Sequence, residues 1–253
     1  MRCQARRGQV TLSPMADNDD ARPRATLLLT RPRAMSERFA DEIAERDLPL
    51  DIVIAPLMEI VPADAPPPLT DDTGVIFTSS QAALLAGAGD GRRAWCVGVR
   101  TAEAARSAGF DAILAGACAD ELVAMLLRER PAGPLVHLRG RYQRGDVAAR
   151  LRDAGLPVTS HVLYDQVQVP PGAAFEMALD RAPLFVALFS PRSATLFATA
   201  AKGMWNPKQD DAVFTLSAAV KAALPPEWAG KTHVSERPDG PSMIDAVARR
   251  IFP

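Results

Sequence analysis

"LLLTRPRAMSERFADEIAERDLP" at residues 27–49 and "LVHLRGRYQRGDVAARLRDAGLP" at residues 135–157 are one pattern written twice. A shift of 108 residues lays Arg31 on Arg139, Arg33 on Arg141 and Leu48-Pro49 on Leu156-Pro157. The correspondence continues in order. Val61-Pro62 falls on Val169-Pro170, "VIFTSSQA" falls on "ALFSPRSA" at a shift of 112, and "CVGVRTAEAA" falls weakly on "TLSAAVKAAL" at 119. Matches in one order, with a shift that grows by small insertions, point to a duplicated chain.

Each copy alternates strand-like and helix-like stretches. "TLLL" reads as a short buried strand, "AMSERFADEIAERD" has helical spacing, and "DIVIAPLMEIV" and "GVIFTSS" read as strands. "QAALLAGA" is then a helix, "AWCVGV" a strand, and "TAEAARSAG" a helix closed by Gly109. This alternation predicts parallel sheets covered by helices, an α/β fold. The Pro-rich stretches "VPADAPPPL" (61–69) and "VPPGAAF" (169–175) stand at equivalent places, where proline stiffens the chain and ends sheet pairing. Two links at equivalent points mean that the chain crosses between two domains twice. Residues 71–160 then form one domain, and 25–56 with 171–253 form the other, discontinuous one. Residues 57–70 and 161–170 lie between, with 57–62 and 163–169 as paired crossing strands.

Composition narrows the function. At 253 residues the chain can bury a large core, 48% of it is hydrophobic, and no apolar run reaches the length of a membrane span, so a soluble globular protein is expected. A net charge of −1 argues against a nucleic-acid binder that works through a basic surface. The basic residues are mostly arginine, with lysine only at 202, 208, 221 and 231. Arginine suits fork-like binding of carboxylate or phosphate, although codon bias explains the excess equally well. Cys3, Cys96 and Cys118 form no CxxC or disulfide framework, which suits a reducing cytoplasm, and His137, His161 and His233 are scattered, so no metal site is expected. Residues 1–24 have no periodicity and no secretory h-region and read as a disordered tail, with Met15 as an alternative start. "GAGDG" (87–91) follows a helix rather than a strand and reads as a loop, not a dinucleotide motif.

In open parallel sheets ligands bind beyond the C-terminal strand ends. Here those ends read Thr30-Arg31-Pro32, Thr78-Ser79-Ser80, Gly98 to Thr101, Arg139-Gly140-Arg141, Ser190-Pro191-Arg192-Ser193 and Ser217. Hydroxyls at such places cap the next helix, whose free N–H groups hold anions, and arginines add charge. For any single serine plain N-capping is the competing explanation.

"LLLTRP", "VIFTSSQAA", "CVGVRTAEAARSAGF", "HLRGRYQRGDVAARLRDAG", "LYDQV" and "ALFSPRSATLF" together resemble the uroporphyrinogen-III synthase family, in order, over roughly residues 26–253. The resemblance implies two flavodoxin-like parallel-sheet domains joined by a two-stranded antiparallel ladder, with the active site in the cleft between them. It implies a lyase of haem biosynthesis that needs no cofactor; a monomer is the simple expectation, because nothing in the sequence suggests an interface. Its substrate would be the linear tetrapyrrole hydroxymethylbilane. The reaction removes the hydroxyl, inverts the last pyrrole ring through a spiro intermediate and closes the macrocycle.

Such a polycarboxylate calls for anion donors. Arg31, Thr78, Ser79, Ser80, Thr101, Arg139, Gly140, Ser190, Arg192, Ser193 and Ser217 are the candidate substrate contacts. The family pattern also puts a tyrosine in the second crossing strand, and Tyr164 in "LYDQV" matches it. A protonated phenol there can donate to a departing hydroxide, and the competing reading is an amphipathic ladder residue that packs against the hinge. Two departures stand out: "LSAAVKAAL" lacks the threonine of the family's "GPTTA"-like turn, and "FTSSQAA" has Ser80 where proline is frequent. The other function classes are a two-domain protein that closes on an anionic ligand without chemistry, and a two-domain glycosyltransferase. The first is usually exported, and the second is expected to be longer and to carry ligands for a nucleotide sugar.

Overall fold

The structure is a computed structural model that describes residues 24–142 and 145–252. The expected 1–24 tail lies outside the described residues except for Arg24. In chain order the elements begin with β1 (Ala25–Leu29), α1 (Arg33–Ala44), β2 (Leu50–Ile54), β3 (Met58–Pro62) and β4 (Gly74–Phe77). Next come α2 (Ser80–Leu85), β5 (Arg93–Cys96), α3 (Val99–Ser107), β6 (Asp111–Leu114), α4 (Ala119–Glu129) and β7 (Leu135–Gly140). They are followed by α5 (Val147–Asp153), β8 (Val158–Gln168), α6 (Ala173–Leu179), β9 (Leu184–Leu188) and α7 (Pro191–Ala201). The chain ends with β10 (Ala212–Thr215), α8 (Ala218–Lys221), a 3-10 turn (Pro226–Lys231), β11 (Thr232–Val234) and α9 (Gly240–Ile251).

The strands form two sheets, ordered β11-β10-β9-β1-β2 and β3-β8-β7-β4-β5-β6. Every pairing is parallel except β3 with β8. A parallel strand must be covered on both faces, and the sequence meets that demand with runs that lack polar alternation. Leu27 and Leu29 enter one core with Phe39, Ile43 and Phe214, whereas Leu28 between them enters another with Phe175, Val186 and Phe197. In the second sheet Val75 and Phe77 pack with α2 and α3, and Ile76 packs on the opposite face with Trp95, Leu122 and Leu151.

The repeat explains the order. By the sequence correspondence β1 and β2 match β7 and β8, while β4 and β5 match β9 and β10. The first sheet therefore takes its first two strands from one copy and its remaining strands from the other, and the second sheet does the reverse. The run "DIVIAPLMEIV", read above as a strand, is cut at Pro56. On either side of this residue, which has no N–H to offer, Ala55 N donates to Leu29 O (3.0 Å) and Leu57 N to Thr30 O (3.1 Å). The chain then leaves β1 and pairs β3 with β8, Met58 opposite Gln168 and Pro62 opposite Tyr164. None of the described helices is long and apolar enough to cross a membrane.

The start of β9 hangs on a buried carboxylate. Asp211 is buried, and its two oxygens accept from the backbone N–H groups of Leu184 and Lys208, each at 2.8 Å. Asp211→Ala orphans both donors, so urea unfolding should show a loss of about 2–4 kcal/mol with an unchanged m-value.

Candidate functional site

The β7–β8 pairing changes register at its end. Arg139 faces Val162, but Gly140 faces Tyr164, which leaves Leu163 as an extra residue. Such a bulge turns adjacent side chains to one side. Leu163 (1% exposed) and Tyr164 (5% exposed) accordingly enter the same core cluster, which breaks the strict alternation of the strand. The phenol ring occupies space that a side chain at residue 140 would fill. A Cβ on Gly140 would stand 2.5 Å from Tyr164 Cζ and 2.8 Å from its Oη.

Two hydroxyl pairs follow at the C-terminal end of β4. Ser79 Oγ lies 2.9 Å from Tyr164 Oη while it also caps α2 by accepting from Gln81 N. Thr78 Oγ1 lies 3.0 Å from His137 Nε2 on β7. Burial raises the Tyr164 phenol above its usual value of 10, against a smaller lowering by the Ser79 hydrogen bond. Burial, helped by Arg139 and opposed by Asp146, holds the His137 imidazole down at about 4.

Arginines come from the turns after β1, β5 and β9. Arg31 stacks on the Phe189 ring at 4.1 Å, next to Ser190, and burial together with Arg38 and Arg100 lowers its pKa to about 10, with Glu42 opposing. It stays charged at neutral pH, and among the described residues no carboxylate lies within ion-pair distance of it. Arg100, at the start of α3 on the second sheet, reaches both oxygens of Glu42 on α1 of the first, at 2.8 and 2.9 Å. Arg192 donates to Gln166 O at 2.9 Å and lies over the Tyr142 ring at 3.9 Å, and its Nε is buried with no partner among the described residues.

Several of the other expected contacts are otherwise engaged. Arg139 spends its fork on Ser160 Oγ and on the carbonyls of Gly140 and Arg141. Ser190 and Ser193 form a capping box at the start of α7, the plain N-capping alternative. Gly140 is the slot for the Tyr164 ring. Thr101 is buried in the first turn of α3, Ser80 opens α2, and Ser217 precedes the four-residue α8 without a side-chain cap bond. The sequence reading missed Arg100, Tyr142 and His137. Arg100 stood inside the Gly98–Thr101 turn already singled out, and Tyr142 inside "RGRYQRG", but nothing local marked His137 as a partner of Thr78.

Two cavities, about 820 and 770 Å³, lie elsewhere, one beside Trp205 and Trp228 and one beside Arg24 and Arg250, and neither is lined by any of these residues. Among the described residues no cluster of His, Cys, Asp and Glu can hold a metal.

A family model described as Uroporphyrinogen-III synthase HemD matches residues 37–245. The chain belongs to this family. Members of the uroporphyrinogen-III synthase family are enzymes of tetrapyrrole biosynthesis, and the expected family resemblance is met over most of the chain. The fold is similar to that of uroporphyrinogen-III synthetase from Helicobacter pylori, at 12% identity and a TM-score of 0.60, covering 89% of this chain and 99% of that one. It is also similar to a mutant uroporphyrinogen III synthase from Thermus thermophilus, at 15% identity and a TM-score of 0.50, covering 90% and 99%. No curated protein sequence matches the chain.

Two outcomes follow from the local geometry. Gly140→Ala pushes the Tyr164 ring away from Ser79, so urea unfolding should show a loss of about 1–3 kcal/mol, the usual cost of overpacking. The His137 imidazole binds its proton near pH 4 when folded and near 6.5 when unfolded. Its contribution is therefore complete above pH 6.5 and lost as the pH falls toward 4. Between those values the parent should lose up to about 3 kcal/mol more than His137→Leu, measured by urea unfolding at each pH.

Proposed function

We propose that this chain converts hydroxymethylbilane to uroporphyrinogen III in a cleft between two flavodoxin-like domains, with the β3–β8 pair as the interdomain ladder. The observation that carries the reading of the site is the Ser79–Tyr164 hydroxyl pair. It stands at the end of β4, a strand end of the same kind as those that carry Arg31 and Arg192.

The division of work follows from charge and burial. Arg31 and Arg192 hold substrate carboxylates, because a buried or stacked guanidinium without an ion partner gains most from an anion. Arg100 already has Glu42 and exchanges it for a substrate carboxylate. The pyrrole nitrogen expels the hydroxyl by itself. The protein has to lower the cost of the departing hydroxide and fold the bilane so that the inverted carbon is attacked, which is catalysis by positioning. Burial raises the Tyr164 pKa, so the phenol keeps its proton and acts as a hydrogen-bond donor to the developing hydroxide. Ser79 holds the ring in place for this task. No step calls for a cofactor, and a monomer suffices because both sides of the cleft come from one chain.

The test is a product assay. Fresh hydroxymethylbilane is supplied, the products are oxidised and the isomers resolved. Isomer III should dominate with the parent protein, and isomer I alone, the spontaneous product, would refute the function. Tyr164→Phe should keep the isomer III preference while kcat falls about a hundredfold. An unchanged kcat at saturating substrate returns Tyr164 to a packing role.

A further inference from the structure

We infer that His137 is a positioning residue that fixes the Thr78 hydroxyl as a one-way hydrogen-bond donor toward the substrate. The inference rests on the reading of the β4 end as the substrate site.

His137 lies inside the second sheet on β7, is 1% exposed, and has among the described residues one side-chain partner, Thr78 Oγ1 at 3.0 Å from Nε2. Its other ring nitrogen, Nδ1, is buried and has no partner among the described residues. A neutral imidazole carries one N–H. Were that proton on Nδ1, a buried donor would be orphaned, which folded proteins almost never tolerate. On Nε2 the proton goes to Thr78 Oγ1, and the unpaired Nδ1 is only an acceptor lone pair, the cheaper defect. The tautomer is thus set by the environment.

The ring also stays neutral under working conditions, with its pKa held at about 4 by burial and by Arg139, and only Asp146 opposing. Thr78 Oγ1 must then accept from His137, which leaves its own proton unclaimed. Thr78 is half-exposed at the end of β4, beside Ser79, so the free O–H is available to an anion at the site. A threonine without such a partner can rotate and present either its proton or its lone pairs. His137 removes that freedom, and the result is a preorganised donor for a carboxylate or for the leaving hydroxyl.

Three measurements test this. First, nitrogen-15 spectra of the histidine-labelled protein should show a protonated Nε2 and a bare Nδ1 from pH 6 to 9, and a protonated Nδ1 overturns the proposal. Second, His137→Leu should lower kcat/KM about 10- to 100-fold, and His137→Gln, whose amide can place an N–H near the Nε2 position, should recover most of it. A packing role predicts no recovery by glutamine. Third, Thr78→Val should cost a similar factor, and His137→Leu added to it should cost less than about twofold more. Losses that multiply overturn the coupling. If Thr78→Val alone leaves kcat/KM at the parent value, the proposal fails whatever the tautomer, whereas the reading of the β4 end as the site fails only if Tyr164→Phe also leaves kcat unchanged. The spectra need no substitution, so the proposal remains testable if His137→Leu does not fold.

Discussion

Strand β8 has to satisfy two partners with one backbone. Each of its peptide groups needs a hydrogen bond inside the protein. It finds a parallel partner in β7 over its first part and an antiparallel one in β3 over its last part. Within the stretch that pairs with β7, Leu163 is the residue left unfaced, and Tyr164 next to it faces both Gly140 of β7 and Pro62 of β3. Without that extra residue Tyr164 would point to the face opposite Leu163, because side chains along a strand alternate. With it the phenol turns into the α2 side of the sheet, over Gly140 and against Ser79. The bulge therefore joins the connection between the two sheets to the placement of the candidate catalytic group.

Much of the architecture was legible because its causes are local or periodic. Unbroken apolar runs signalled parallel strands, and the repeat with its twin Pro-rich links indicated which strands would exchange between sheets. The cut at Pro56 was not legible, because the apolar run continues through it and only the missing N–H divides β2 from β3. The site was legible only at the level of turns. The positions of Thr78, Ser79 and Arg31 follow from the rule that ligands gather at strand ends. What each hydroxyl bonds to depends on register between strands far apart in sequence. Ser79 meets Tyr164 across 85 residues, and Thr78 meets His137 across 59. Tyr164 was placed in the ladder, but its turn into the core beside Leu163 was not, because the alternation around it hid the bulge. Ser190 and Ser193 looked like anion donors, yet they satisfy one another in the capping box.

The contacts that bridge the sheets are weak ones by nature. Arg100 and Glu42 are both partly exposed, and a pair of that kind contributes about 0–1 kcal/mol. The stacking of Arg192 on an exposed Tyr142 is of similar order. The β3–β8 pairing, by contrast, is a ladder of five residue pairs inside the second sheet. The side-chain contacts between the sheets are thus light ones.

The duplication also explains why the two halves of the site differ. Residues 29, 31, 56 and 78 correspond to 137, 139, 164 and 190. On the second sheet the copy carries His137 and Tyr164, which give Thr78 and Ser79 side-chain partners from neighbouring strands. On the first sheet the equivalents are Leu29 and Pro56, which offer no hydrogen bond, and Ser190 turns to its own helix. The arginines diverge in the opposite sense. Arg139 is tied to Ser160 and two carbonyls, whereas Arg31 keeps its charge on the Phe189 ring with no carboxylate in reach among the described residues. The second sheet thus carries the partnered hydroxyls and the first sheet the unpaired cationic charge, and a substrate with a leaving hydroxyl and several carboxylates calls for both.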